Sequence, residues 1–140
     1  MKQELENKLS KDFPFMVAKS VWDDEVCLDD DGNEYGFPCE CGDGWYQVLH
    51  NLCQEITDYY NEKGADTSEI HILQIKEKFG ELRFYHNGLI EGAEDIVDKY
   101  VGMSLQTCMS CGNKGKLRNY GGWLTTLCDS CEEERKKNYK

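Results

Sequence analysis

Apolar residues recur at three- and four-residue steps through one stretch of this chain: Trp45, Leu49, Leu52, Ile56 and Tyr59 or Tyr60. That step is the α-helical period. It predicts an amphipathic helix opened by Asp43 as N-cap, running to about Asn61 and closed by Lys63-Gly64. Upstream, Leu5, Leu9 and Phe13 share one helical face within residues 2–13, and Pro14 ends that helix. The period then changes. Residues 15–22 are apolar and β-prone and are expected as a first strand. Residues 70–75 are rich in β-branched side chains, residues 77–81 turn, and Leu82-Arg83-Phe84-Tyr85 returns, which predicts a β-hairpin closed by His86-Asn87-Gly88. A further helix over about 89–104 turns Ala93, Ile96, Val97, Tyr100 and Val101 inward.

Beyond that helix the pattern is set by cysteine. Cys108 and Cys111 form one C-x-x-C pair and Cys128 and Cys131 a second, with sixteen residues between them. Two such pairs bring four thiolates to one tetrahedral centre, and this spacing reads as a Zn²⁺ site. Gly112 follows the first pair, where a tight knuckle favours a residue that tolerates positive φ. Residues 116–118 and 123–127 read as short strands joined by a turn at Tyr120-Gly121-Gly122. The predicted fold class is therefore α+β: a small antiparallel hairpin sheet, two main helices and a C-terminal four-cysteine zinc ribbon. Residues 1–105 form an acidic α+β core, 106–131 the ribbon and 132–140 a charged tail, either a frayed helix or disordered and without a packing face, all in one compact unit. One structural zinc ion is the expected cofactor. A site with four protein sulfurs keeps no position open for water or substrate.

Charge sharpens this picture. The chain of 140 residues carries 16 basic and 27 acidic side chains, a net −11. Residues 20–62 contain twelve acids and no Lys or Arg, so the acidity is local. Asp29-Asp30-Asp31-Gly32-Asn33 resembles a calcium loop only in composition. With Gly32 in the glycine place, Cys27 falls on the first ligand position and Pro38 on the last. A turn is expected there instead. The other cysteines, Cys27, Cys39, Cys41 and Cys53, lack a second matched pair and are expected as buried free thiols. Residues 1–6 lack the apolar run of a secretory signal, and no stretch approaches the roughly 18 apolar residues of a membrane span. A cytosolic location follows as the expectation, and reduced thiols there favour zinc over disulfides.

Three blocks carry a resemblance: Gly42-Asp43-Gly44-Trp45, the hairpin Lys76-Glu77-Lys78-Phe79-Gly80-Glu81-Leu82-Arg83-Phe84-Tyr85, and the ribbon with Cys111-Gly112, Gly121-Gly122-Trp123 and Thr126-Leu127-Cys128. In this order, over residues 40–131, they resemble a family of small phage- and prophage-encoded zinc-ribbon proteins that includes a type II-A anti-CRISPR metalloprotein. The resemblance implies an inhibitor of the type II RNA-guided DNA nuclease, acting in the host bacterial cytoplasm.

The residues by themselves support an acidic zinc protein without catalytic apparatus, and the step to the nuclease rests on the resemblance. His50, His71 and His86 are scattered, and no nucleophile-elbow, zincin, Walker or deaminase motif is present, so no enzyme is expected. Duplex binding through phosphates is opposed by the net charge. The nuclease holds its nucleic acids in positively charged channels, and an acidic protein suits such a surface. Asp23, Asp24, Glu25, Asp29, Asp30, Asp31 and Glu34 are the candidate partner contacts. A nucleic-acid-binding or adaptor role for a structural zinc protein is the alternative, since residues 108–140 carry seven Lys or Arg against four acids.

Overall fold

A computed structural model describes residues 1–20 and 22–138 of the chain. Val21, in the expected first strand, and Tyr139 and Lys140, in the expected tail, lie outside the described residues. Helix α1 spans Gln3–Asp12 and stops where Pro14 begins a 3₁₀ turn, Pro14–Met16. The short strand β1, Cys39–Glu40, leads through a second 3₁₀ turn, Asp43–Trp45, into helix α2, Tyr46–Lys63. Strands β2, His71–Lys78, and β3, Glu81–Asn87, form the hairpin, and helix α3 spans Ala93–Ser104. Strands β4, Lys116–Tyr120, and β5, Trp123–Leu127, form a second hairpin, followed by helix α4, Asp129–Asn138. The fold is α+β.

Burial explains the elements. Trp45, Leu49, Leu52, Ile56 and Tyr60 are fully enclosed, so of the two adjacent tyrosines it is Tyr60 that turns inward. Gly64 ends α2 in the left-handed region at φ 67°, where a side chain would be strained. Helix α2 packs on α3, and α3 packs on β3. From the sheet, Ile72, Ile75, Leu82 and Phe84 enter the same core. Ile72 and Ile75 are three residues apart yet both buried, because the register shifts between Ile72 and Gln74 and resets the alternation. The tip of this hairpin is Phe79-Gly80, with φ of 56° and 80°, the backbone a two-residue turn demands.

Four expectations are corrected. The described residues of 15–22 make no sheet strand; Val17 and Lys19 form isolated bridges to Gly36 and Val26. The sheet is not a hairpin alone, because β1 adds to β2 in parallel, Cys39 opposite Ile75. Asp43 is not the cap of α2; its Oδ1 accepts the Lys2 backbone N–H at 2.8 Å, and Trp45 holds the cap position. The tail takes the helical alternative through Asn138, but it does pack, since Glu132 accepts from Tyr120 and Arg118.

Between the 3₁₀ turn and β1 the chain leaves the core as an acidic arm, residues 17–36. The bridge Val17–Gly36 joins its two ends, and beyond it the bridges Lys19–Val26 and Leu28–Glu34 close two small successive loops. Its base is clamped to α1. The Gly36 N–H donates to Asn7 Oδ1 at 2.8 Å, and a Cβ on Gly36 would lie 2.0 Å from the Glu6 carbonyl oxygen. The buried Glu6 carboxylate accepts the Cys39 N–H at 2.6 Å, and its burial raises its pKa.

Candidate metal centre

The four C-terminal cysteines are placed by two different local structures. Cys108 and Cys111 sit on a knuckle closed by a Gly112 N–H bond to the Cys108 carbonyl at 2.9 Å, with Gly112 at φ 86°. Cys128 lies at the end of β5 and Cys131 in the first turn of α4, where the Cys131 N–H points at Cys128 Sγ, 3.4 Å away. A helix N-terminus favours negative charge, which suits a thiolate pair. The hairpin between the pairs turns at Gly121 and Gly122, both at positive φ.

These elements bring the four sulfur atoms within 4.8 Å of one another, Cys111 and Cys128 at 3.6 Å. Metal–sulfur bonds of about 2.3 Å in a tetrahedron require S···S edges of about 3.8 Å. The cluster therefore fits one ion with small adjustment. Its electrostatics fit as well. Burial works to raise the Cys108 thiol, but backbone hydrogen bonds at Cys128, Cys111 and Ser110 outweigh it and bring it down to about 7. Cys131 is pushed up to about 12, by burial first and then by hydrogen bonds to the other three sulfurs. Four neighbouring thiols cannot all ionise alone, and a bound cation removes that conflict by deprotonating its ligands.

Arg118 locks the hairpin to the helix. Its guanidinium donates to the Leu127 carbonyl at 3.0 and 3.1 Å, to Asp129 Oδ1 at 2.8 Å and to Glu132 Oε1 at 3.0 Å. Glu132 also accepts the Tyr120 hydroxyl at 2.8 Å, and Arg135 lies 3.8 Å above the Tyr120 ring. The main body grips the knuckle from the other side. The Gly44 N–H donates to the Met109 carbonyl at 2.9 Å, and the buried Trp45 indole N–H to the Thr107 carbonyl at 2.8 Å. A Cβ on Gly44 would fall 2.2 Å from the Cys108 oxygen, so only glycine lets the two backbones meet. The tip of the β2–β3 hairpin makes the second contact, where Thr126 Oγ1 donates to the Gly80 carbonyl at 2.8 Å in a buried setting.

All seven carboxylates expected to contact a partner lie on the arm and are exposed. They are not equivalent. Asp23 Oδ1 accepts the Glu25 N–H, and Asp29 Oδ1 accepts the N–H groups of Asp31 and Asn33, so these two shape the arm's own turns. Asp24 meets His71 Nδ1 at 3.1 Å and Lys19 at 4.0 Å. Glu25, Asp30, Asp31 and Glu34 have side chains with no hydrogen bond or ion pair among the described residues. Sequence reading missed Trp22, which stands 92% exposed beside Asp23; a tryptophan inside an acidic run was the available signal.

The remaining cysteines form no second cluster among the described residues. Cys39 and Cys53 are buried thiols raised well above the ordinary value by burial, as expected, whereas Cys27 is only half-buried on the arm. Cys41 is half-buried too, its thiol pushed up to about 12 by burial. The three histidines face three different carboxylates: His50 faces Asp12, His71 Asp24 and His86 Glu94. No described helix is long and apolar enough to cross a membrane. Comparison with protein-family models, with curated proteins and with solved structures finds no match to this chain.

Proposed function

We propose that this protein is a non-catalytic, phage-encoded inhibitor that binds the type II-A RNA-guided DNA nuclease in the host bacterial cytoplasm and blocks target-DNA loading or cleavage. The observation that carries the proposal is the arm: seven exposed carboxylates project on one segment, inside a stretch of 43 residues without Lys or Arg. Such a surface draws a basic partner at long range and competes for sites built to hold phosphates. The resemblance of the hairpin and cysteine blocks to the phage zinc-ribbon family supplies the identity of the partner.

The ion held by Cys108, Cys111, Cys128 and Cys131 is, in this account, zinc. Four sulfur donors in a tetrahedron select zinc or iron among the common metals, and zinc needs no redox partner. With all four positions taken by protein, its contribution is to folding.

The test is cleavage of target DNA by a guide-loaded type II-A nuclease with the zinc-loaded protein in excess. Addition before the DNA is expected to block cleavage. Addition after DNA binding separates occlusion of loading from a later block. Undiminished cleavage by nucleases of several type II-A subgroups would overturn the proposal. One observation favours the nucleic-acid or adaptor reading: Phe79 and Trp123, 62% and 64% exposed, line one cleft between the two hairpin tips. Salt-sensitive binding to single-stranded DNA is its mark.

A further inference from the structure

We propose that the arm and the start of β2 enclose a side-chain slot that takes an arginine of a basic partner segment, with Trp22 stacked on its guanidinium. This rests on the reading above that the partner is basic. The slot is a cavity of about 370 Å³ between the arm and the sheet. Phe15, Val17 and Ile72 contribute its apolar lining; Asp23 and Asp24 contribute carboxylates, and Lys19 and His71, which pair with Asp24 and leave Asp23 as the open acid, also line it. A long basic side chain matches that combination, because it lays its alkyl stem on apolar surface and keeps its charged head at a polar edge.

Arginine fits better than lysine. Its planar guanidinium stacks on an indole face and donates to a carboxylate in a fork, which an ammonium cannot reproduce. Trp22, at 92% exposed, buries almost nothing within its own chain, and tryptophan is among the side chains that dominate binding energy when a partner covers them. Asp24 is already engaged by His71 and Lys19, and Asp23 Oδ1 by the Glu25 N–H. Asp23 Oδ2 accepts no hydrogen bond among the described residues and is the oxygen assigned to the incoming guanidinium. Leu28 and Val26, 58% and 40% exposed, continue the apolar surface along the arm, so the segment that carries the arginine has apolar neighbours to rest on.

The experiment titrates the full zinc-loaded chain with nona-arginine and, separately, nona-lysine. Trp123→Phe serves as the background, leaving Trp22 as the exposed indole, since Trp45 is fully enclosed. A saturable change in Trp22 emission is expected, with nona-arginine bound several-fold more tightly than nona-lysine. Calorimetry on Trp22→Ala and Asp23→Asn is expected to show binding weakened about tenfold, with melting temperatures unchanged, while Asp30→Asn is expected to weaken it less. Equal binding of nona-arginine by Trp22→Ala and the parent chain would overturn the slot and leave only diffuse attraction to the acids. The nuclease assay separates the two proposals. If the parent chain inhibits and Trp22→Ala inhibits equally, the slot fails and the inhibitor reading stands. If the parent chain does not inhibit but the arginine peptide occupies the slot, the inhibitor reading fails and the slot stands.

Discussion

The acidic arm and the metal unit both lie outside the main core, and they are held in opposite ways. Among the described residues of 20–34 none is buried, and the backbone there is fixed by isolated bridges and by aspartate side chains capping their own turns. The metal unit buries its own small cluster of Cys108, Leu127 and Cys128, with Tyr120 and Cys131 packed against it. Neither segment has the apolar area to fold alone. The metal unit compensates with four converging sulfurs and a close glycine-mediated fit to the body. Among its described residues the arm is clamped at its base, on α1, and at Asp24. Strand β2 separates them: His71 meets the arm, and Gly80, just past its other end, meets Thr126. Eight residues of strand span roughly 26 Å, more than two screening lengths of about 8–10 Å at physiological salt. The arm's field therefore acts largely independently of the metal unit.

Gly44 and Trp45, Phe79-Gly80, Gly112 and Thr126 are the residues through which the body and the metal unit grip one another. These sequence blocks are thus an internal docking interface. The arm, with its seven exposed carboxylates, lies outside them.

The largest expected effect breaks the metal unit and spares the rest. Chelation, or Cys128→Ser, is expected to release the ion and unfold residues 106–138, since metal-linked folding in small zinc units amounts to about 10 kcal/mol or more. Hydrogen exchange should show β4, β5 and α4 losing protection while α2, β2 and β3 keep theirs. Retained protection in β4 and β5 without metal would contradict the staple. Next in size, Gly44→Ala forces a Cβ to within 2.6 Å of the Gly112 nitrogen and should cost about 1–3 kcal/mol, read by thermal denaturation together with faster loss of metal to a chelator. Thr126→Val leaves the buried Gly80 carbonyl without its donor, with a similar expected loss of about 1–3 kcal/mol in urea denaturation.

A smaller effect is expected with pH. The Arg118 guanidinium holds Asp129 below the usual carboxylate range, and Glu132 is held low by the Tyr120 hydroxyl and by Arg118. A depressed carboxylate stabilises the fold above its unfolded pKa, and that contribution disappears as pH falls through the folded value. Protons also compete with the metal for sulfur. Acidification below the usual carboxylate range should therefore melt α4 and the β4–β5 hairpin before the body, as followed by NMR. Coincident melting of both would contradict the ranking.

Much of the body was legible because burial repeats with a fixed period. The α2 face from Trp45 to Tyr60 and the alternation in β3 follow directly from side-chain spacing. The convergence of the four C-terminal cysteines was legible from spacing alone, because two C-x-x-C pairs leave few geometric solutions. Residues 15–18 were misread because Phe15, Met16 and Ala18 are buried through a 3₁₀ turn and a single bridge, which have no period. The parallel pairing of β1 was invisible because two residues carry no pattern; Glu6, distant in sequence, holds them in place. Asp43 has the composition of a helix cap, yet tertiary contact with Lys2 redirected it. The acids of the arm were legible as a charge cluster, but only the fold divides them into turn-forming Asp23 and Asp29 and outward Glu25, Asp30, Asp31 and Glu34.

The smallest structural effect carries the largest functional one. Reversal of Asp30, Asp31 and Glu34 to lysine touches exposed side chains that hold nothing in place, and each change should alter stability by less than about 0.5 kcal/mol. The decisive measurement is target-DNA cleavage by the guide-loaded type II-A nuclease with the parent chain and this triple variant side by side, both carrying one zinc and melting alike. The account predicts that the parent chain blocks cleavage and the variant does not. Equal inhibition by both would show that recognition lies elsewhere and would contradict the assignment of the arm.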